Sequence, residues 1–237
     1  LSLDNDNYVG ITFKKNMPNC DVIIGDITTP NIKSIIISKA KLLGVNMIIG
    51  GPPCQGFSNK GKKLGLKDPR NFLFREYLSL VEVIQPEVFV IENVKTLLSA
   101  SNGWFRDEIV DTIKDLGYFV DYGVLNAADF GVPQARERAI FICSKSKVVT
   151  LPKQDIKSVT TVRDAISDLS YLESGEGAFE QDYLLPAESD YQKLMRASSK
   201  ILYNHLASHH KEVAIEKLKL IPPERGKECL PAKMIGK

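Results

Sequence analysis

Met47-Ile48-Ile49-Gly50-Gly51-Pro52-Pro53-Cys54-Gln55-Gly56-Phe57-Ser58 reads as a buried strand running into a tight turn that presents a thiol. An uninterrupted apolar run suits a strand covered on both faces, as in a parallel sheet packed between helices. The glycines and prolines that follow end it. In an open α/β sheet ligands gather beyond the carboxyl ends of the strands, so Cys54 is expected where chemistry takes place. Loop or helix N–H groups there favour the thiolate, which is the reactive form. The competing reading is a buried, inert thiol, and a core cysteine flanked by prolines and glycines would be an odd choice.

Working outward, residues 21 to 144 alternate short β-branched runs with longer amphipathic segments, the pattern of a parallel sheet covered by helices. Strands are predicted at 21–24, 46–49, 87–91, 119–125 and 139–143, and helices at 32–43, 72–84 and 104–116, where apolar residues recur at helical spacing. Gly117 stands where a helix commonly terminates. No helix separates the last two strands, so they are expected to form an antiparallel edge. Beyond residue 150 the character changes. A short helix is predicted at 159–169, a polar stretch at 173–189, and further helices at 191–202 and 212–220.

Composition excludes more than it assigns. The chain has 237 residues and a formal net charge of +2, far from the strongly basic balance of a protein that coats nucleic acid. Lys60, Lys62, Lys63, Lys67 and Arg70 nevertheless crowd one glycine-containing stretch, which reads either as a solvated loop or as a phosphate-contacting one. Cys20, Cys54, Cys143 and Cys229 form no C-x-x-C pair, so neither a metal site nor a disulfide framework is indicated and a reducing, cytoplasmic setting is expected. No signal pattern and no apolar run of the roughly 20 residues needed to cross a bilayer is visible, so no membrane association is expected.

Two further constellations carry chemistry. Val90-Ile91-Glu92-Asn93-Val94 sets a carboxylate at the end of an apolar strand, where an acid can hold or donate a proton; an incidental Glu92 beside a helix-capping Asn93 is the plain alternative. In Gln134-Ala135-Arg136-Glu137-Arg138, period-two alternation at the start of a strand would put Gln134, Arg136 and Arg138 on one face. Adjacent guanidiniums suit an anion between them, although an exposed charged strand is common.

In order and spacing these three motifs resemble the DNA cytosine-5 methyltransferase family, from about Ser2 to Ser144, with a fainter match at Thr161-Val162-Arg163-Asp164-Ala165-Ile166. The resemblance implies a Rossmann-like, S-adenosylmethionine-dependent α/β fold with a mostly parallel sheet and an antiparallel edge. It implies a catalytic domain over 1–150, a linker and the start of a recognition region over 151–190, and part of a target-recognition segment over 191–237. It assigns Cys54 as the nucleophile that adds to C6 of a flipped cytosine, Glu92 as the acid at N3, Arg138 as the contact to the cytosine carbonyl oxygen and Arg136 as a neighbour of the nucleophile. Asp4 would bind the ribose hydroxyls of S-adenosyl-L-methionine and Asp26 its adenine amino group, with Ile27, Pro52 and Leu73 against the ring and wall. Gln55, Ser58, Lys60, Lys62, Lys63, Asn93 and Gln134 would meet DNA, and Gly61 and Gly65 would hinge a loop that closes over it.

The same resemblance implies double-stranded DNA as partner and a restriction-modification setting with a cognate endonuclease. A related family of transfer-RNA cytosine-5 methyltransferases shares the motifs, and a catalytically silent DNA-binding homologue would as well. The sequence begins after the place of the family's glycine-rich Phe-x-Gly-x-Gly turn and ends within its recognition region. The expectation is a fragment of a longer enzyme, or one subunit of a split enzyme that needs a complementary chain. On either account the isolated chain is expected to bind the cofactor poorly and to transfer little or no methyl.

Overall fold

The computed structural model describes residues 1–53, 72–154 and 159–235. The chain divides into two compact units, Leu1–Ser158 and Val159–Lys237.

In the first unit, β1 (Ser2–Asp4) and β2 (Val22–Ile24) pair in parallel with Leu3 opposite Ile23, and α1 (Asn7–Asn16) connects them. Neither β1 nor α1 is among the elements predicted from the sequence. The strand is three residues long, and the helix is announced by its cap rather than by an apolar stripe: the Asp6 carboxylate accepts from the backbone N–H groups of Tyr8 and Val9. A helix α2 (Pro30–Leu42), which opens on proline at its first turn, then leads to a four-stranded sheet.

That sheet has the order β3 (Met47–Gly50), β4 (Val88–Val94), β6 (Glu137–Ser144), β5 (Phe119–Asn126). β3 and β4 are parallel, separated by α3 (Leu73–Ile84), and β4 is followed by α4 (Trp104–Asp115). The antiparallel pair β5–β6 closes one end, with β6 lying inside and running antiparallel to both neighbours. Period-two alternation shows directly in burial. Phe89, Ile91 and Asn93 of β4 stand opposite Cys143, Phe141 and Ala139 of β6, and all six are buried on one face. Phe74, Tyr77, Leu78 and Val81 of α3 and Phe105, Ile109 and Ile113 of α4 pack on that face to make the core. Burial pushes the Cys143 thiol up to about 12, which marks it as a packing residue.

The strand at the centre of the sequence reading departs from expectation in one respect. Met47 and Ile49 are 53 % and 71 % exposed, so β3 is not buried on both faces. It is the outer strand of the four, and both residues line a cavity that β1 lines as well. What fixes β3 is Tyr77, whose hydroxyl lies 3.2 Å from the Ile48 carbonyl and 3.0 Å from that of Val90, joining adjacent strands. Desolvation raises the Tyr77 pKa, so the hydroxyl keeps its proton and remains a donor. Gly50 makes this approach possible: a Cβ there would lie 2.4 Å from the Tyr77 ring.

The second unit is built from α5 (Val162–Ile166), β7 (Gly177–Gln181), α6 (Asp190–Arg196), β8 (Leu202–Leu206) and α7 (Glu212–Lys219). β7 and β8 pair antiparallel. The helix predicted over 191–202 stops at Arg196, and Leu202 is the first residue of β8. β7 lies inside the stretch read as polar and aperiodic, and it starts at Gly177, whose φ is +97° and whose Cβ would meet the His205 carbonyl at 2.1 Å.

Candidate active site

Three chain segments converge at the carboxyl ends of β3 and β4 and the start of β6. β3 leaves the sheet through Gly51-Pro52-Pro53 towards Cys54. Cys54 itself, with Gln55, Ser58, Lys60, Lys62, Lys63, Gly61 and Gly65, lies outside the described residues. The approach to it is held by β4: the buried Asn93 side chain donates from Nδ2 to the Pro52 carbonyl at 2.8 Å and accepts from the Val94 N–H at 2.9 Å. Asn93, read from the sequence as a DNA-facing residue, thus ties down the backbone two residues before the cysteine.

Glu92 points to the other face of β4, as strand alternation requires. There the Arg138 guanidinium meets it, with Nε 2.9 Å from Oε1. Arg138 pairs with Val94 in the sheet, so the ion pair is a diagonal cross-strand contact on one face. Arg138 also donates to the Glu137 carbonyl at 2.8 Å, which fixes the plane of its fork. Gly51 faces the same carboxylate: a Cβ there would stand 3.1 Å from Glu92 Oε2, so the turn leading to Cys54 and the acid of β4 are in near contact.

The remaining motif is laid out differently from the sequence expectation. β6 starts at Glu137, so of Gln134, Arg136 and Arg138 only the last is a strand residue. Gln134 sits in a turn in which its N–H donates to the Val132 carbonyl at 2.7 Å, and Gln134 and Arg136 are exposed. Backbone conformation at that turn overrides the period-two pattern. Glu137, between the arginines, pairs with Lys95 just beyond β4. Two residues that sequence reasoning did not single out complete the arrangement. Gly51 leaves room for Glu92. Asn126, at the end of β5, accepts through Oδ1 from the N–H groups of Ala128 at 3.3 Å and Arg136 at 2.9 Å. The only sequence signal for Asn126 is an asparagine at a strand end, a common turn residue.

A cavity of about 1160 Å³ opens beside this site, lined by Asp4, Asp26, Ile27, Pro52 and Leu73 among others. All five residues expected at the cofactor therefore meet in one place. The two carboxylates are held by short local contacts. Asp4 Oδ1 accepts from the Asp6 N–H at 2.9 Å, and Asp26 Oδ1 accepts from both the N–H and the hydroxyl of Thr28, each at 2.8 Å. The Thr28 hydrogen bonds hold the Asp26 carboxyl below the ordinary carboxylate range. Two oriented carboxylates with Ile27, Pro52 and Leu73 offer acceptors for hydroxyl or amino hydrogens beside apolar walls, a donor set that fits a nucleoside. That chemistry is compatible with S-adenosylmethionine.

The sequence profile of the C-5 cytosine-specific DNA methylase family matches residues 1–221. The type II methyltransferase M.DdeI of Desulfomicrobium norvegicum is 39 % identical over 231 residues, covering 93 % of this chain and 55 % of its own. M1.HphI of Haemophilus parahaemolyticus is 35 % identical over 226 residues, 93 % of this chain and 54 % of its own. The chain thus spans about half the length of these two relatives. It spans more of a third, M.AquIA of Picosynechococcus, with 38 % identity over 71 % of this chain and 79 % of that protein. Among solved structures, a DNA modification methyltransferase encoded within an E. coli prophage superposes with a TM-score of 0.74 at 21 % identity, over 92 % of this chain and 68 % of that one. This last likeness is one of fold.

Proposed function

The chain belongs to the C-5 cytosine-specific DNA methylase family, and on that premise we propose that it supplies the catalytic half of an enzyme that transfers a methyl group from S-adenosylmethionine to C5 of cytosine in duplex DNA. The observation that carries the reading is the contact set at the sheet edge: Arg138 on Glu92 at 2.9 Å, with Gly51 of the cysteine-bearing turn against the same carboxylate.

Cytosine C5 is a poor nucleophile until the aromatic ring is opened to addition. The Cys54 thiolate forms a bond from sulfur to C6, and the displaced ring electrons gather towards N3 and C5. Glu92, in its protonated carboxylic acid form, donates its proton in a hydrogen bond to N3 and so stabilises that charge, while Arg138, oriented by Glu92 and the Glu137 carbonyl, donates to the carbonyl oxygen at C2. The cofactor, when bound, supplies a methyl group activated on a sulfonium. With C5 methylated, loss of its proton to a base restores the C5–C6 double bond as the carbon–sulfur bond breaks and the thiolate returns. C6 is inaccessible within a stacked duplex, so the cytosine must swing out of the helix first. Asp4 and Asp26 would hold the nucleoside hydroxyls and amino group, and Ile27, Pro52 and Leu73 would exclude water from its apolar faces. The lysines of residues 60–63, Gln55, Ser58 and Gln134 would bind phosphates or bases, which predicts salt-dependent affinity. The three stretches 1–150, 151–190 and 191–237 would then serve as catalytic domain, linker and part of the recognition region. A complementary segment and a cognate restriction endonuclease are the partners this role calls for.

Replacing the C5 hydrogen by fluorine removes the proton that must leave, so the adduct stops before thiolate release. Duplex DNA carrying 5-fluorocytosine, incubated with S-adenosylmethionine and the protein in its full natural form, should give a denaturation-resistant complex. Cys54→Ser should abolish it. A complex formed on RNA alone would transfer the reading to an RNA substrate, and none on either nucleic acid would leave a binding homologue without chemistry.

A further inference from the structure

We propose that Asn126 is a positioning residue for the arginine segment, its side-chain oxygen setting the backbone from which Arg138 reaches Glu92. The proposal rests on the reaction assigned above and adds to it a residue with no contact to substrate.

The segment between β5 and β6 is a loop from Ala127 to Arg136 that leads directly into Arg138, the residue held against Glu92. Its interior contains one short helical turn, Ala127–Phe130, closed by Gly131 at a φ of +85°. Such a loop has many conformations of similar energy unless its ends are tied, because short local turns constrain each residue only through its neighbours. Here both backbone groups of Arg136 are engaged. Its N–H donates to Asn126 Oδ1 at 2.9 Å, and its carbonyl accepts from the Ala127 N–H at 3.0 Å. The same Asn126 oxygen receives the Ala128 N–H at 3.3 Å, so one acceptor joins the outgoing and returning arms of the loop. Asn126 is itself fixed by the β5–β6 register, opposite Glu137.

The consequence is an orientation passed along two residues. With the peptide units on both sides of Arg136 fixed, β6 enters the sheet at Glu137, and Arg138 falls opposite Val94, from where it reaches Glu92. Without the clamp, the loop can still close and β6 can still pair, but the start of β6 loses one of its ties and Arg138 acquires a range of positions. Misplacement of a charge-stabilising group by about 1 Å costs on the order of 100-fold in rate. The clamp uses only the oxygen of the Asn126 amide, which gives the idea a sharp signature: aspartate should serve in place of asparagine, alanine should not.

The test compares Asn126→Ala and Asn126→Asp in the full natural form of the protein. Amide hydrogen exchange at Arg136 and Ala128 should accelerate in N126A and stay protected in N126D. The rate of covalent trapping on 5-fluorocytosine duplex at saturating DNA should fall roughly 10- to 100-fold in N126A. The DNA concentration for half-saturation should change little, and N126D should recover most of the rate. A residue needed merely for folding would lower the active fraction without slowing each active site, so trapping rate is read per folded molecule. If N126A does not fold, Asn126→Gln substitutes, since it keeps the amide but moves the oxygen outward; loss of Arg136 protection is expected there too. Wild-type exchange or wild-type trapping rate in N126A overturns the proposal, as does equal slowing in N126A and N126D. Trapping that fails in the wild-type protein overturns the assigned reaction instead, while exchange at Arg136 still decides the clamp.

Discussion

The two units of the chain are held together by different physics. The first has an apolar face shared by β4, β6, α3 and α4, with Phe89, Ile91, Phe105, Ile109, Ile113 and Phe141 out of contact with water. The second has little of that. Its described buried side chains include the polar Asp168 and Gln192 as well as Leu202 and Leu230, and both polar ones are held by hydrogen bonds. Gln192 illustrates the principle. Its side-chain oxygen accepts from the Glu188 and Ser189 N–H groups at 2.8 and 3.2 Å, and its amide donates to Ser167 Oγ at 2.9 Å, which joins α6 to the turn after α5. Asp168 pairs with Arg196, which also donates to the Leu185 carbonyl at 2.8 Å and stacks 3.9 Å from the Tyr183 ring centroid. A hydrophobic face tolerates approximate geometry because dispersion and water release are non-directional, whereas a polar net needs each partner in place.

The contrast is tested first where its effect is largest. Phe89→Ala, at a position with no exposure between Tyr77 and Tyr118, removes contacts from both rings and leaves a cavity. It should cost about 4 to 5 kcal/mol in denaturant unfolding. Amide protection should fall in β4 and β6 and stay unchanged in α6. Parallel loss of protection in both units would abolish the distinction between them.

The same contrast explains what the sequence disclosed. Every strand and helix packed on the apolar face was predicted to within a few residues, because an alternation of two in β4 or a spacing of three and four in α3 is the direct imprint of one-sided burial. β1 and α1 escaped: three residues carry no period, and α1 has only Gly10 buried. β7 escaped for the reason that gives the second unit its character, since its neighbours are satisfied by hydrogen bonds that leave no apolar pattern. At the site, motifs single out candidate residues, whereas their geometry is not written in any local pattern. Cys54, Glu92 and Arg138 follow from motifs, and the five cavity residues do meet. Asn93 as a backbone tie, Gly51 as a space for Glu92 and Asn126 as a clamp depend on three-dimensional neighbours 41, 41 and 10 residues away in sequence, and no local pattern announces them.

In the polar unit the corresponding experiment removes a charge. Asp168→Ala leaves the Arg196 guanidinium without its carboxylate in a place where side-chain exposure is 15 %. Breaking a buried pair from one side costs about 3 kcal/mol, at the lower end of the usual range because Arg196 keeps the Leu185 carbonyl and the Tyr183 ring. Protection should be lost in α6 and retained in β4, the mirror of the Phe89 result. Replacing both partners together, as in Asp168→Leu with Arg196→Met, should recover much of the loss, since no unpaired charge remains. If the double variant is no better than the single, the pair serves stability in a way that paired burial does not explain.

The smallest effect, and the finest probe of the polar unit, lies at the start of α5. Thr161 and Asp164 form a reciprocal cap: the Thr161 hydroxyl accepts from the Asp164 N–H at 3.1 Å, and the Asp164 carboxylate accepts from the Thr161 hydroxyl and N–H at 2.6 and 2.9 Å. The Thr161 hydroxyl first, and its backbone N–H second, hold the Asp164 carboxyl below its ordinary value of 3.8. A carboxylate whose folded pKa is depressed binds protons less readily folded than unfolded. Its contribution is therefore present above the ordinary value and is lost as pH falls through the lower, folded one. Thr161→Ala deletes the stronger of the two contacts and leaves the N–H. The carboxyl titration of Asp164, followed by NMR, should move up towards 3.8 without reaching it. The acid limb of the unfolding curve should flatten by a small amount, because Asp164 is only half-buried and water screens its contacts. A titration unmoved in T161A would mean that the backbone N–H alone sets the acidity of Asp164, and the hydroxyl would then belong to the helix cap and to nothing else.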